Sequence, residues 1–498
     1  MRSLKLSPLF RIILGLVLSI ISGLALVLAF PPYGIWPLAL IGLVPMLVAQ
    51  FRIMPARFSS LASAVGVAVW LQGYLGPVFA PVGTFMVWLP LMVGVLNLLT
   101  DAGSRNFHAK TNYRWFVLGG IANWSGGEMI RLFLPIAGTW AFIAYPFYRQ
   151  LWLIQPVSIF GIIGMGLVVI LVNYTLALLL MGWLDRRWQL DPTAPIVSAG
   201  LMRRWAIIGG AVFAAWIGLS LVLFNIPLNT PSVKAAAIQP SVSPIISANQ
   251  GLDVADLHAR MVDQTRIAGE MGSQFIVWPE GSFLWDPQVD NRIDFASLAG
   301  QTQAHLALGY VVVEENGLRN EATIINPDGQ FLGVFGKDHP VTFGGETSLT
   351  RGTYPVYDTP IGKLGTIICY DLDYTDTARK LVAQGAQLIG VPSNDWSTIA
   401  DKHYAHVVFR AVENRVAMVK ADGSYDSAII DPYGRIVALA AHPEGREATL
   451  VADVQLGSGK GTLSTLLGDW VGWLSLALMA FFIFGSKALE KRALAGQK

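Results

Sequence analysis

Leu364-Gly365-Thr366-Ile367-Ile368-Cys369-Tyr370-Asp371 reads as the end of a buried β-strand, Gly362–Cys369, that stops at the only cysteine in 498 residues. Free cysteine is often no more than a small buried hydrophobe, and taken alone Cys369 fits that description. Its neighbours in the chain argue for a nucleophile. Trp278-Pro279-Glu280 puts a carboxylate after another strand, Gln274–Trp278, and Gly336-Lys337-Asp338-His339 supplies an ammonium. Each alone is an ordinary turn acid or surface charge. Together they are what a thiol needs, because it attacks as thiolate and requires a base or a cation to form it. Glu280 can accept the proton. Lys337 can stabilise the thiolate and then an oxyanion, with the backbone N–H of Tyr370 as a second oxyanion donor.

Outward from this stretch, short β runs alternate with helical segments. Val233–Ile238, Gln274–Trp278, Ala304–Val313, Glu321–Asn326, Gly362–Cys369, Gln387–Pro392, Ala417–Lys420 and Ser427–Ile430 read as strands; Val254–Met271, Thr375–Gln384 and His403–Arg415 read as helices. This alternation predicts a layered α/β domain over 226–465. Glu280, Cys369 and Asn394-Asp395 fall at or just beyond strand ends, where α/β sheets bind ligands. Glu346, after Phe343-Gly344-Gly345, either orients Lys337 or is a plain loop acid. His403-x-x-His406 has a helical metal-ligand spacing, but no third ligand follows by spacing, so the pair reads as packed or exposed. One cysteine excludes disulfide frameworks and multi-thiolate metal sites. No Gly-x-Ser-x-Gly elbow or phosphate loop is present.

The rest of the chain is a membrane protein. Hydrophobic residues make up 53% and charged residues 14%, against about 25% charged in soluble domains. Spans near the 20-residue crossing length fall at Ile12–Phe30, Ile35–Ala49, Phe58–Phe79, Val82–Leu99, Trp115–Leu134, Val157–Leu184, Trp205–Phe224 and Leu466–Phe484. The first two form a hairpin around Pro31-Pro32. With eight crossings, the clusters Arg2/Lys5/Arg11, Arg52/Arg57, Arg105/Lys110/Arg114, Arg186/Arg187/Arg203/Arg204 and Lys487/Lys491/Arg492 share one side. The positive-inside rule makes that side cytoplasmic, so both termini are inside and the α/β domain outside. The organisation expected is a transmembrane domain over 1–225, the outside domain over 226–465, and a last helix with a cytoplasmic tail over 466–498. Outside a bacterial inner membrane the milieu is oxidising, which makes a solitary thiol harder to explain as filler. A net charge of +2, without a basic stripe, gives no sign of nucleic-acid binding.

Glu280, Lys337 and Cys369, in this order, resemble the Glu-Lys-Cys triad of the nitrilase (carbon–nitrogen hydrolase) superfamily. With eight spans around the domain, the whole chain is similar to its bacterial apolipoprotein N-acyltransferase family. Val277-Trp278-Pro279-Glu280, Lys337-x-His339, Ile368-Cys369-Tyr370, Ser393-Asn394-Asp395-x-Ser397 and Asp431-Pro432-x-Gly434-Arg435 carry the likeness in the domain. Trp124, Glu128-x-x-Arg131, Trp140, Tyr145, Gln155, Gly161 and Gly164 carry it in the membrane. The resemblance implies a nitrilase-like α-β-β-α sandwich and an enzyme of the bacterial inner membrane, working as a monomer without cofactor or metal. It implies transfer of an acyl chain from phospholipid, through a thioester on Cys369, to the N-terminal amino group of a diacylated apolipoprotein. Glu280 acts as base and acid, Lys337 stabilises the oxyanion, and Tyr370, Glu346 and Asp371 support. Phe283, Leu284 and Trp285 are expected to admit acyl chains. Two departures from the family pattern bear on the acceptor: an extra residue before Glu346, and Asp371 in place of glutamate. Cys-Tyr-Asp is familiar from soluble amidases, so an amidase, or an acyltransferase for another amine, is the alternative.

Overall fold

The computed structural model describes residues 7–136, 138–188, 194–249 and 254–495; Arg2 and Lys5 of the first basic cluster lie outside the described residues. Among these residues twelve strands build the α/β domain: β1 (Ser232–Gln239), β2 (Phe275–Val277), β3 (His305–Glu314), β4 (Gly317–Ile325), β5 (Phe331–Gly336), β6 (Tyr357–Thr359), β7 (Gly362–Thr366), β8 (Leu388–Ser393), β9 (Ala417–Asp422), β10 (Asp426–Ile430), β11 (Ile436–Ala441) and β12 (Ala448–Gln455). They form two six-stranded sheets, ordered β12-β1-β2-β3-β4-β5 and β11-β10-β9-β8-β7-β6. The central pairs β1–β2–β3 and β7–β8–β9 are parallel and the flanking pairs antiparallel. Central strands are apolar on both faces because both are covered. Phe275, Val277, Ala307, Leu388 and Val419 fill the space between the sheets. Helices Ala255–Glu270 and Phe295–Thr302 cover the first sheet through Leu257, Met261 and Leu298. Helices Asp376–Ala383 and Tyr404–Asn414 cover the second. The result is an α-β-β-α sandwich.

The layer over the second sheet is continuous with the apolar core of the membrane helices. Polar links fix the junction, among them the following three. Glu413 accepts the Ile162 N–H at 2.9 Å, just after Gly161 breaks helix Val157–Trp188 with a φ of 66°. Gln155 donates to the Tyr433 carbonyl and accepts from Arg415. Trp396 donates to the Val78 carbonyl at 3.0 Å. A domain carboxylate thus satisfies an amide that a kink strands at membrane depth, where no water would serve.

Among the described residues, seven helical stretches are long and apolar enough to cross a membrane: Pro8–Ala29, Trp36–Ile53, Ala56–Phe79, Met86–Lys110, Val157–Trp188, Ala199–Asn225 and Trp470–Ala495. The fifth predicted span, Trp115–Leu134, differs. It is a helix of only 16 residues, Phe116–Arg131, with turns after it. It still runs the length of the bundle against the last helix: Trp115 packs on Phe482, and Phe133 on Trp473. The second span is not one regular helix either. It passes through Trp36–Leu40, Val44–Val48 and Ala49–Ile53, and Pro45, without an N–H, cannot continue the ladder from the first of these into the second. Far from the α/β domain, Arg11 bonds the Ile53 carbonyl, Arg52 pairs with Asp185 at 2.7 Å, and Lys110 pairs with Glu490 at 2.9 Å. The basic clusters described there therefore gather at the end of the bundle remote from the domain.

Candidate active site

Four loops following strands bring the predicted groups together. β2 leads to Glu280, β5 to Lys337, β7 to Cys369 and β8 to Asp395, so all four sit at one end of the sandwich. Strand β5 was not predicted, although it is what delivers Lys337. The strand expected to end at Cys369 stops at Thr366, and Cys369 opens a short 3-10 turn, Cys369–Asp373. Cys369 has a φ of 43°, a left-handed conformation that costs a residue with a Cβ and clusters at functional sites. Asp371 holds this turn. Its carboxylate accepts the Ile368 N–H at 2.9 Å, and the Asp338 and His339 N–H groups at 3.1 and 2.8 Å. One side chain therefore ties the Cys369 turn to the Lys337 loop. Burial pushes Asp371 up to about 7.

The Lys337 ammonium lies 2.7 Å from Glu280 and 2.9 Å from Glu346. Asn320, which sequence reasoning missed, donates to both carboxylates. The available signal was a polar Arg319-Asn320-Glu321 run inside an otherwise apolar strand. Glu346 also accepts the Val341 N–H at 2.8 Å. The extra residue before it does no harm, since Gly345 turns with a φ of 83° and returns Glu346 to Lys337. Burial raises Glu280, against the pull of Lys337. Burial opposes the Lys337 charge, but Glu280 and Glu346 outweigh it and hold the ammonium well above the lysine range. Burial also pushes the Cys369 thiol well up, Glu280 and Asp395 add to it, and Lys337 opposes. Cys369 therefore rests as a thiol.

Cys369 opens onto a narrow cavity walled from both parts of the chain. Val78, Phe79, Ile136 and Trp140 come from the membrane part; Val341, Phe343, Tyr370 and Trp396 come from the domain. Phe283 and Trp285, expected at the mouth, are elsewhere. Phe283 is buried against Trp278, Phe295 and Tyr310 under the outer helix layer, with Trp285 packed on it. Apolar side chains next to a candidate base are equally suited to a core, and here the core takes them. Glu128 and Arg131 do not simply pair on their helix. Glu128 accepts the Ile143 N–H at 2.9 Å, and Arg131 donates to the Trp140 carbonyl. They fix the loop that carries Trp140 into the cavity.

Behind Cys369 lies a buried charge cluster. The histidine pair expected to be packed or exposed is fully buried and meets a carboxylate that spacing did not reveal, Asp373 of the Cys369 turn. Asp373 Oδ1 is 2.5 Å from His406 Nδ1 and 3.4 Å from His403 Nε2. Two ligands of a tetrahedral zinc stand about 3.3 Å apart, so the shorter contact does not have the spacing of a zinc-ligand pair. His403 Nδ1 lies 2.7 Å from Asp395. Burial opposes charge on His403, yet Asp395 and Asp373 raise it to about 10. Burial lowers His406 to about 4, so His403 carries the proton. A raised histidine contributes stability in full below its unfolded value, near 6.5, and loses it as pH climbs through about 10. Thermal unfolding of wild type and His403→Gln should therefore differ most at pH 6 and converge above pH 10.

Residues 234–462 match the carbon-nitrogen hydrolase family, and residues 22–175 match the apolipoprotein N-acyltransferase N-terminal domain. A Geobacter metallireducens protein named apolipoprotein N-acyltransferase is 28% identical, over 95% of this chain and 96% of its own. One of that name from Gloeobacter violaceus is 26% identical, over 94% and 93%. Among solved structures, an amidase from Nesterenkonia sp. is 19% identical with a TM-score of 0.39, covering 49% of this chain and 99% of its own. A carbon–nitrogen hydrolase domain carried on a helical membrane part defines a membrane-bound enzyme of that superfamily. Relatives that match along nearly the whole length narrow the class: from end to end the chain is similar to proteins named apolipoprotein N-acyltransferase.

Proposed function

We propose that this enzyme moves an acyl chain from a phospholipid, through a thioester on Cys369, to the α-amino group of an S-diacylglyceryl-cysteine lipoprotein. Glu280 takes the thiol proton as sulfur attacks the ester carbonyl. Lys337 and the Tyr370 N–H, in the first turn of its 3-10 segment, stabilise the oxyanion. The C–O bond breaks, and Glu280 returns the proton to the departing lysophospholipid alkoxide. In the second half the lipoprotein amine attacks the thioester, Glu280 takes its proton, the C–S bond breaks and the thiol is restored. Glu346 and Asn320 hold Lys337 and Glu280, and Asp371 keeps the two loops in register.

The observation that carries this reading is the wall of the Cys369 cavity. Val78, Phe79, Ile136 and Trp140 of the membrane part face the sulfur alongside Phe343 and Trp396 of the domain, as a lipid-anchored substrate arriving sideways from the bilayer requires. The basic residues at the opposite end support a cytoplasmic location for that end and a periplasmic one for the domain. On this view residues 1–225 and 466–498 form the membrane part, with both termini cytoplasmic, and 226–465 the catalytic domain.

Purified protein mixed with phospholipid should gain one acyl mass on the peptide containing Cys369, and hydroxylamine should remove it. Adding a diacylated lipopeptide should then discharge the adduct as amide. Free fatty acid alone indicates an amidase, and no adduct at all removes the thioester mechanism.

A further inference from the structure

The mechanism above leaves a second carboxylate at the sulfur unused. Asp395 Oδ1 lies 3.6 Å from Cys369 Sγ, within reach of an S–H donor. It is almost fully buried and held on three sides. His403 Nδ1 approaches at 2.7 Å, Lys420 Nζ at 2.8 Å, and the Ser393 hydroxyl at 3.3 Å. Lys420 is itself fixed by Asp426 at 2.5 Å and faces Asp422 at 3.6 Å. Behind His403, Asp373 takes the Trp140 indole N–H at 2.8 Å, and Trp140 stacks over the His403 ring. A file of polar groups therefore runs from a membrane-part loop to the nucleophile: Trp140, Asp373, His403, Asp395, Cys369.

We propose that Asp395 is a second catalytic carboxylate, which accepts the S–H of the resting Cys369 and sets its proton affinity, with His403, Asp373 and Trp140 as positioning residues behind it. The proposal rests on the thioester reading only in calling Cys369 the nucleophile. Two carboxylates in one site take different roles when their surroundings separate their proton affinities. Burial and Glu346 favour the proton on Glu280. Burial alone would do the same for Asp395, but His403 and Lys420 override it and keep Asp395 well below the usual carboxylate range. Glu280 is thus the group that exchanges protons, and Asp395 never does. An anion at the sulfur disfavours free thiolate. Cys369 therefore leaves the tetrahedral intermediate together with the proton that Glu280 returns.

Because Cys369 is the only cysteine, its alkylation by iodoacetamide reads the sulfur directly, without phospholipid. The charged groups around the sulfur are Glu280 and Lys337 on the cleft side and Asp395 behind, backed by His403 and Lys420; Asp373 is on its own turn. Asp395→Asn removes the anion beside the sulfur, while Lys420 keeps its partners Asp422 and Asp426 behind it. The pH midpoint of alkylation should fall by about one unit or more, as expected for one adjacent charge. His403→Gln removes a cation and leaves Asp395 less compensated, so the midpoint should rise. A residue that merely holds the fold would move both midpoints the same way. Unchanged midpoints, or shifts of one sign in both variants, overturn the proposal. If Asp395→Asn does not elute as a monodisperse species in detergent, the sign of the His403→Gln shift decides alone. Failure of phospholipid to acylate wild-type Cys369 would instead strike the thioester reading and leave the alkylation result standing.

Discussion

Replacing Glu280 with glutamine is expected to slow acylation of Cys369 by phospholipid about a thousandfold, mid-range for loss of a positioned general base. Glutamine keeps an oxygen where Lys337 and Asn320 now donate at 2.7 Å each, so the packing of the site is retained and only proton acceptance is lost. Burial has already raised the proton affinity of Glu280, which suits a group that must take a proton and give it back. The measurement is the time course of acyl mass on the Cys369 peptide, run beside alkylation with iodoacetamide at high pH. Alkylation should persist, because hydroxide can ionise the thiol when the base is gone. An acylation rate within about tenfold of wild type would transfer the base role elsewhere, with Asp395 the nearest alternative.

Local patterns were enough for the layered fold and for three groups that the structure gathers at one end of the sandwich. Apolar runs bounded by turns marked most strands, and Glu280, Lys337 and Cys369 stood out as isolated polar residues beside them. What escaped was whatever depends on pairing across the fold. β5 escaped because Phe331-Leu332-Gly333-Val334-Phe335-Gly336 carries two glycines, and its strand character comes from pairing with β4. Asn320 and Asp373 are ordinary in sequence and become site residues through partners 40 and 33 positions away, Glu280 and His406. Phe283 and Trp285 show the converse, apolar residues whose destination only the three-dimensional packing decides. The shortness of Phe116–Arg131 is legible afterwards in Gly119, Gly120, Gly126, Gly127 and Glu128, which thin its apolar run.

The junction between the two parts also explains why a soluble fold needs this many membrane helices. The cavity wall, the Trp140 loop and the kink at Gly161 all bring backbone or side chains from the bundle into contact with the second sheet's helix layer. Glu128 and Arg131 grip the 140–143 backbone from one side, and Asp373 grips Thr139 and Trp140 from the other, through its carbonyl and its carboxylate. A single anchoring helix would provide none of these contacts. The helical part thus shapes the candidate site, and its buried polar residues have a task that justifies their desolvation.

Lys337→Met is expected to remove acyl transfer and also to destabilise the protein by about 3–5 kcal/mol, the usual cost of deleting one partner of a buried ion pair. Lys337 is 1% exposed, and its ammonium stands between Glu280 and Glu346. Without it, two carboxylates share Asn320 and no cation. The penalty should depend on pH, and its sign follows from the coupling. Lys337 opposes the burial that raises Glu280, so its loss raises Glu280 further above its unfolded value. A carboxyl raised in the folded state is tolerated while protonated and costs stability as pH climbs through its folded value. The gap in unfolding temperature between wild type and Lys337→Met should therefore be small near pH 4 and widen towards pH 8. Adding Glu280→Gln to Lys337→Met should recover part of the lost stability, since it deletes one of the stranded charges, while activity stays absent. Contacting residues show such non-additivity; a pH-independent gap, or two losses that simply add, would mean the three groups do not share one buried charge.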